Sequence, residues 1–395
     1  MVNITAKVGY KKIKPPRSLL ISKGALLDAL FLWPVIFALA VFLLYPCRQS
    51  NIKSGFNHLE EHTLMATIRV DLDTIEATTA KALEAHGAKP WIANSVAHAV
   101  RVAEGYGNKI CGLFYLQSYC SQLLVGRVKG DVEPEVKTPK PASVMVDAKL
   151  GFAQAAFARG LDTAIAAAKT NGVATLAICH SHTCTSMGYF TEQIARAGYI
   201  AIGVTNAKSC VSPPGGSEAV LGTNPIAMSV PDGKGGLAMQ FDQSTSAIAI
   251  GKINMAASAG ESIPLGWGVD SQGQPTQDPN AVLKGGSLVS AGGYKGYGFG
   301  LMAEILAAAF TGGNTSTEVE PLKLTQGNPH DLGQCYIIID PTNVAGDVFW
   351  QKLEVISKAI NSQPGARIPG TQKVLPEAVD LDEEVWQSVL TLANA

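Results

Sequence analysis

The stretch VATLAICHSHTCTSMGYFTEQIARAGYIAIGVT (residues 173–205) decides the fold class. Val173–Cys179 is a short apolar run of the kind that forms a buried strand. Met187–Ala197 then carries apolar residues at helical spacing, and Tyr199–Thr205 returns to strand character. Strand, helix and strand in succession predict an α/β core. Between the first strand and the helix lies a polar turn, His180-Ser181-His182-Thr183-Cys184-Thr185-Ser186. The carboxyl end of a strand is where such cores place ligand-contacting groups.

Outward from this unit, helical periodicity predicts helices over Asp73–His86 and Trp91–Gly107, with Gly87 and Pro90 as punctuation. Ile110–Val125 continues this helical layer, and the proline-containing 126–143 reads as loop or edge strand. Further helices are expected over Gly151–Thr170, Ser244–Ala259, Lys295–Phe310 and Val344–Ser362. Strands are expected over 237–242 and Cys335–Ile339, and 260–294 is loop-rich.

Composition narrows the function classes. The chain of 395 residues balances 31 Lys and Arg against 32 Asp and Glu, so it lacks the basic bias of a nucleic-acid binder. Its seven cysteines (47, 111, 120, 179, 184, 210, 335) are scattered, without a CxxC pair, which predicts free thiols and a cytoplasmic setting. Residues 1–64 differ from the rest: a basic start is followed by an apolar run at 29–46, just long enough to span a bilayer. That run reads as an inner-membrane anchor or a secretory signal. Alternatively, 1–64 is an extension ahead of a natural start at Met65, the reading favoured by the cytosolic character of residues 65–395.

Three segments can carry chemistry. In the first, His180 and His182 cannot share a helix face, and no third ligand is evident, so no metal is expected. Imidazole suits proton transfer near neutral pH, which makes His182 a candidate; the plainer reading is a hydrogen-bonded interior histidine. The second combines Gly222-Thr223-Asn224-Pro225-Ile226 with Gln240-Phe241-Asp242-Gln243-Ser244-Thr245-Ser246. Here Asp242 either closes a strand before a helix cap or acts as a catalytic carboxylate. The third, Gly292-Gly293-Tyr294-Lys295-Gly296-Tyr297, precedes a helix and combines open backbone with a cation, which suits a phosphate. Neither a P-loop nor a GxGxxG after an early strand is present.

Taken in order, these segments, together with Gly251-Lys252-Ile253, IleProLeuGlyTrp at 263–267 and ProThrGlnAspPro at 275–279, resemble the malate/L-lactate dehydrogenase family unrelated to Rossmann enzymes. That family also includes ureidoglycolate and sulfolactate dehydrogenases and Δ1-piperideine-/Δ1-pyrroline-2-carboxylate reductase. The resemblance implies a mixed α/β, non-Rossmann fold. A largely antiparallel cofactor domain would occupy about 151–311, and a helical and mixed domain would come from 65–150 and about 312–395. It implies a homodimer using NADPH or NADH on a small-molecule substrate. It places the cofactor on His182, Thr183, Cys184, Thr185 and Ser186 and on Gly292, Gly293, Tyr294, Lys295, Gly296 and Tyr297. Asp242 falls in the proton relay, and Tyr115, Thr223, Gln240 and Phe241 border the substrate.

The departures bear on chemistry. The family's proton donor lies in a SerHisGly segment, with an Arg four residues after the His. Here the matching stretch is Asn108-Lys109-Ile110-Cys111-Gly112-Leu113-Phe114-Tyr115, so Ile110 stands for the Ser, Cys111 for the His and Tyr115 for the Arg. A thiol is a poorer acid than imidazole at neutral pH. Either Cys111 or His182 takes the role, with Lys109 or Tyr115 as further candidates for a malate- or lactate-type substrate, or the chain binds cofactor without catalysis. A cyclic imine arrives protonated and needs less help from an acid than a keto acid does. Hydride transfer at C2 of a 2-oxo, 2-hydroxy or cyclic 2-imino acid is therefore expected, and the partner of the substrate carboxylate is left open.

Overall fold

The computed structural model describes residues 66–395, and the apolar run at 29–46 lies outside the described residues. No helix among the described residues is long and apolar enough to cross a membrane.

The first layer is β1 (Thr67–Asp71), α1 (Leu72–Ala85), α2 (Pro90–Gly105) and α3 (Leu116–Leu124). Pro90 opens α2, where its missing N–H loses no helical bond. Leu72, Ile75 and Leu83 of α1 pack with Ile92, Val96 and Val100 of α2 in one buried cluster. Between α2 and α3 the chain makes two 3₁₀ turns, Lys109–Cys111 and Leu113–Tyr115, in place of the continuous helix its composition suggests. The buried Glu104 explains the break. Its Oε1 accepts the Leu113 N–H at 2.7 Å, and its side chain leaves no room for a Cβ at Gly112.

The chain then builds a seven-stranded sheet. Its members are β2 (Glu135–Lys140), β3 (Ser143–Gly151), β4 (Val173–Ser181), β5 (Ile200–Thr205), β6 (Ile226–Pro231), β7 (Leu237–Gln243) and, after a long excursion, β10 (Leu332–Ile339). Helices α4 (Ala153–Asn171) and α5 (Met187–Arg196) cover it. Gly172, at φ +76°, ends α4 in the left-handed conformation that favours glycine. The strand order is β2-β3-β4-β10-β5-β6-β7, and β3–β4 is its parallel pair. The β4–α5–β5 unit at 173–205 is therefore not closed on itself. β10 lies between its two strands, antiparallel to both. The sheet also takes β2, β3 and β10 from outside residues 151–311.

The excursion carries α6 (Ile250–Ala259), the short strands β8 (Gly268–Val269) and β9 (Ser287–Leu288) flanking α7 (Pro279–Leu283), and α8 (Tyr294–Glu304). α8 relaxes into a π turn at Ile305–Ala309. The helix expected from Ser244 begins only at Ile250. Before that point the backbone is engaged elsewhere: Thr245 N–H bonds Thr223 O, and Ala247 N–H bonds Val289 O, at 2.9 and 2.8 Å.

After β10 come α9 (Val348–Asn361), β11 (Ala378–Asp382) and α10 (Glu383–Ala393). β11 pairs antiparallel with β1, joining the two ends of the described chain. Asp382 caps α10 by accepting the N–H groups of Glu384 and Val385, and Trp386 and Val389 enter the α1–α2 cluster. Trp386 is 5% exposed, so Trp386→Ala leaves a large cavity under this layer. Denaturant unfolding should show a loss of about 3–5 kcal/mol; a loss below about 1 kcal/mol would mean that α10 is not anchored in the core.

Candidate active site

Asp242 lies at the end of β7, two residues from Gln240 and so on the same face of the strand; Phe241 faces the other way. Its Oδ2 accepts Ser186 Oγ–H at 2.9 Å and Gly188 N–H at 2.8 Å. Ser186 and Gly188 open α5, so the carboxylate caps a helix from a neighbouring strand. A Cβ on Gly188 would lie 3.1 Å from Asp242, so glycine is what lets the two approach. Burial pushes the Asp242 carboxyl above the usual carboxylate range, against the opposing pull of the Gly188 N–H, Ser186 and Lys373.

A cavity of about 100 Å³ opens at this carboxylate, lined by Tyr106 and Asn108 from the end of α2, Ser186, Gly188 and Glu192 from α5, Gln240 and Asp242 from β7, and Lys373. Glu192 accepts from Tyr106 Oη at 2.8 Å and Arg196 Nη2 at 2.7 Å, which neutralises it locally. Lys373 Nζ donates to Gln240 Oε1 at 2.8 Å. Cys111 sits next to this cavity. Burial, and then the negative Asp242, push its thiol up to about 12. Burial likewise pushes the Tyr115 hydroxyl up to about 12, with further contributions from Cys111 and Cys184.

The other expected residues divide. His182 does not reach the cavity: it is 1% exposed, stacked on His330 with ring centroids 4.0 Å apart, with Tyr119 and Phe152 edge-on. Its Nε2 lies 2.8 Å from Gln122 Oε1, while the Gln122 amide donates to Ser118 Oγ and Leu322 O. That assigns the proton to Nε2 and leaves Nδ1 bare, as a neutral core histidine. Thr183 and Cys184 are buried as well, so within 182–186 it is Thr185 and Ser186 whose side chains lie near the surface. Thr223 and Phe241 do not line the cavity. Asn224 instead knits the fold: its Nδ2 donates to Glu304 Oε2 at 2.7 Å, and Ser316 N–H meets Glu304 Oε1 at 2.6 Å. This buried network fixes α8 and with it the exposed loop 292–295.

Tyr106, Asn108, Glu192 and Lys373 line the cavity without having been singled out by sequence. Tyr106-Gly107-Asn108 is a helix end leading to Cys111 and could have been noticed; Lys373 lies in a patternless segment. His180, with φ +52°, turns toward a different group. Its Nδ1 is 2.8 Å from Asp331 Oδ1, and its ring joins Asp147 and Cys179 in a cluster whose ligand atoms lie within 4.8 Å of one another. Burial pushes the Cys179 thiol up to about 11, with Asp147 and Asp331 adding to it.

The comparisons with known proteins agree with one another. The malate/L-lactate dehydrogenase family profile matches residues 70–389. A Delta(1)-pyrroline-2-carboxylate/Delta(1)-piperideine-2-carboxylate reductase of Pseudomonas syringae pv. tomato is 39% identical over 74% of this chain and 85% of its own. A (2R)-3-sulfolactate dehydrogenase (NADP(+)) of Chromohalobacter salexigens is 36% identical over 77% of this chain and 90% of its own. The crystal structure of delta1-piperideine-2-carboxylate reductase from Pseudomonas syringae superposes with a TM-score of 0.77 at 34% identity, covering 82% of this chain and 99% of that one. Fold and site thus define a nicotinamide-dependent oxidoreductase outside the Rossmann class. The chain belongs to the malate/L-lactate dehydrogenase family.

The residues present fit a nicotinamide dinucleotide. Gly292 and Gly293, at φ +67° and +65°, have open space where a Cβ would be, while a Cβ on Gly296 would strike Ala291 O. The loop thus offers bare backbone at the start of α8, with Lys295 exposed beside it.

The His182–His330 stack makes stability acid-sensitive. Burial and the nearby Arg127 lower both imidazoles, His330 to about 4 and His182 well below its ordinary value. Between the unfolded value near about 6.5 and these lowered values the unfolded chain binds more protons, so stability falls as pH falls. Each imidazole contributes up to about 1.4 kcal/mol per pH unit in that window. Chemical denaturation from pH 7 to pH 5 should show this slope, and His330→Phe should reduce it. A flat profile would mean that the pair is solvated or charged in the folded protein.

Proposed function

We propose that this chain reduces cyclic 2-imino acids of the Δ1-pyrroline-2-carboxylate and Δ1-piperideine-2-carboxylate class, with NADPH or NADH, and that 2-oxo acids such as pyruvate or oxaloacetate are poorer substrates. The observation that carries this reading is the acid–base side of the cavity. A thiol held at about 12 stands beside Asp242 where the family has an imidazole. Reducing a ketone builds negative charge on oxygen and calls for a proton. Taking that proton from Cys111 would leave a thiolate buried next to a carboxylate, which both desolvation and Coulomb repulsion oppose. An iminium carries its proton already, and Asp242, fixed by Ser186 and Gly188, stabilises its positive nitrogen. The nicotinamide, when bound, supplies the hydride to C2. Thr185, Ser186 and the 292–297 loop are proposed to hold it, with His182, Thr183 and Cys184 supporting that turn from beneath. Relatives that share the fold are named as reductases of these imines.

The test is a steady-state screen of both cofactors against the two imines, pyruvate and oxaloacetate. We expect kcat/KM for an imine to exceed that for either 2-oxo acid by about 10²-fold or more. Cys111→His should raise 2-oxo acid turnover without improving the imine. Comparable wild-type rates on pyruvate and on the imines would sink the reading. Asp242→Asn should lower kcat by about 10²-fold while NAD(P)H affinity, read by fluorescence titration, stays within about twofold.

We also infer a cytoplasmic homodimer. The six described cysteines are unpaired, which suits a reducing compartment. Phe299, Met302 and Ile305 recur on one side of the 294–309 helical stretch and are exposed at 57%, 37% and 52%. An apolar stripe of this kind, in a family implied to be dimeric, fits a second copy. Sedimentation velocity should show a dimer that Phe299→Lys with Ile305→Lys converts to monomer. A wild-type monomer at micromolar concentration would refute the dimer.

A further inference from the structure

We propose that Lys373 is the cation that holds the substrate carboxylate, so that Lys373 and Asp242 together recognise a zwitterion: the carboxylate at Lys373, the iminium nitrogen at Asp242. This rests on the imine reading above and adds to it the determinant of substrate class.

The family's carboxylate-binding Arg position is occupied by Tyr115, so an acid substrate needs another positive partner. Arg196, Arg127 and Lys323 are engaged elsewhere, and Lys109, next to Asn108, does not line the cavity. Arg196 is committed to Glu192 at 2.7 Å. Arg127 is 2% exposed and its guanidinium is bound to the Pro321, Leu324 and Asn328 carbonyls. Lys323 Nζ lies 3.4 Å from the centroid of the Phe114 ring and does not line the cavity. Lys373 does line it, and among the described residues no carboxylate oxygen lies within 4.0 Å of its Nζ.

Its position is built. Gln240 Nε2 donates to Gly188 O at 2.9 Å and Ser229 Oγ at 3.1 Å, which orients the amide so that Oε1 accepts from Lys373 Nζ at 2.8 Å. An ammonium carries three donors; one is used here, and Nζ also lies 5.1 Å from the centroid of the Tyr106 ring, a looser contact than that of Lys323. The segment bearing Lys373 is seated on the edge of β7: Gln240 N–H donates to Pro369 O at 2.8 Å. Gly370, at φ +83°, lies so close that a Cβ would come within 2.7 Å of Gln240. Ile368 is buried beneath this turn. One strand thus presents a negative group, Asp242, and, through Gln240, a positive one on the same small cavity without letting the two pair. A cyclic imino acid has the complementary charges on the two groups that flank C2, the iminium nitrogen and the carboxylate. A 2-oxo acid offers the carboxylate alone, and an unsubstituted cyclic imine offers the cation alone.

The test compares wild type, Lys373→Gln and Lys373→Arg on Δ1-pyrroline-2-carboxylate and on unsubstituted Δ1-pyrroline, with NADH and NADPH. Wild type should favour the carboxylate-bearing imine in kcat/KM. Lys373→Gln should raise KM for it at least tenfold with a smaller change in kcat, lose most of the preference over Δ1-pyrroline, and keep NAD(P)H affinity within twofold. Lys373→Arg should restore part of the preference. Gly370→Val, which displaces the turn, should resemble Lys373→Gln. An unchanged KM and an unchanged preference in Lys373→Gln would overturn the proposal while leaving the imine reading standing. A wild type inactive on the carboxylate-bearing imine but active on 2-oxo acids would overturn the imine reading. In that case a tenfold KM rise for pyruvate in Lys373→Gln would keep Lys373 as the carboxylate's partner and discard the zwitterion, and an unchanged KM would discard both.

Discussion

The contact between Asp242 and the start of α5 is the constraint on which the site depends. One carboxylate oxygen takes the Gly188 N–H and the Ser186 hydroxyl. The bond satisfies an orphan donor of the helix and immobilises the carboxylate. It also joins the edge of the sheet to the helix packed across it. Burial and the helix end act on the carboxyl in opposite directions, and burial prevails. The group therefore holds a proton more readily than a surface carboxylate. It can still be charged when a cation arrives in the cavity, because ion pairing lowers its pKa.

The remaining walls of the cavity come from distant parts of the chain. Tyr106 and Asn108 arrive from the end of α2, and Glu104 in the same helix sets the turn that carries Cys111. Lys373 arrives from the segment between α9 and β11, laid against Gln240. That segment runs into β11, whose pairing with β1 ties the last strand to the first. The helical layer is thus more than a support. Its two ends each contribute a wall to a site whose carboxylate belongs to the sheet.

Local pattern made much of this legible and left a definable remainder. Residues 173–205 disclosed a strand, a helix and a strand because each has its own hydrophobic period. They could not disclose β10 between the strands, since insertion from over a hundred residues away leaves no local trace. β6 is a weak pattern of Ile, Ala, Met, Ser, Val and Pro whose strand character comes from its two neighbours. Asp242 stood out because it ends a strand before polar residues. His182 stood out for its chemistry, yet its turn points it inward against His330 and Gln122, and nothing in the spacing distinguishes the two directions. Lys373 was illegible for the opposite reason: a lone lysine in a loop acquires meaning only from the strand beside it.

The substitutions on the donor side obey one electrostatic logic. An imidazole at position 111 would be charged or neutral according to pH and could deliver a proton. A thiol at about 12 stays neutral through the physiological range and delivers none readily. Tyr115, which the family resemblance sets in the place of an Arg, brings no fixed charge, and burial keeps its hydroxyl neutral too. Cys111 and Tyr115 therefore add no charge near Asp242, and the charged groups on the cavity lining are Asp242, Lys373 and Glu192, the last paired with Arg196. A substrate that brings its own proton and both signs of charge needs neither a proton nor a charge from these two groups. A substrate that must acquire a proton during reduction finds no ready donor there.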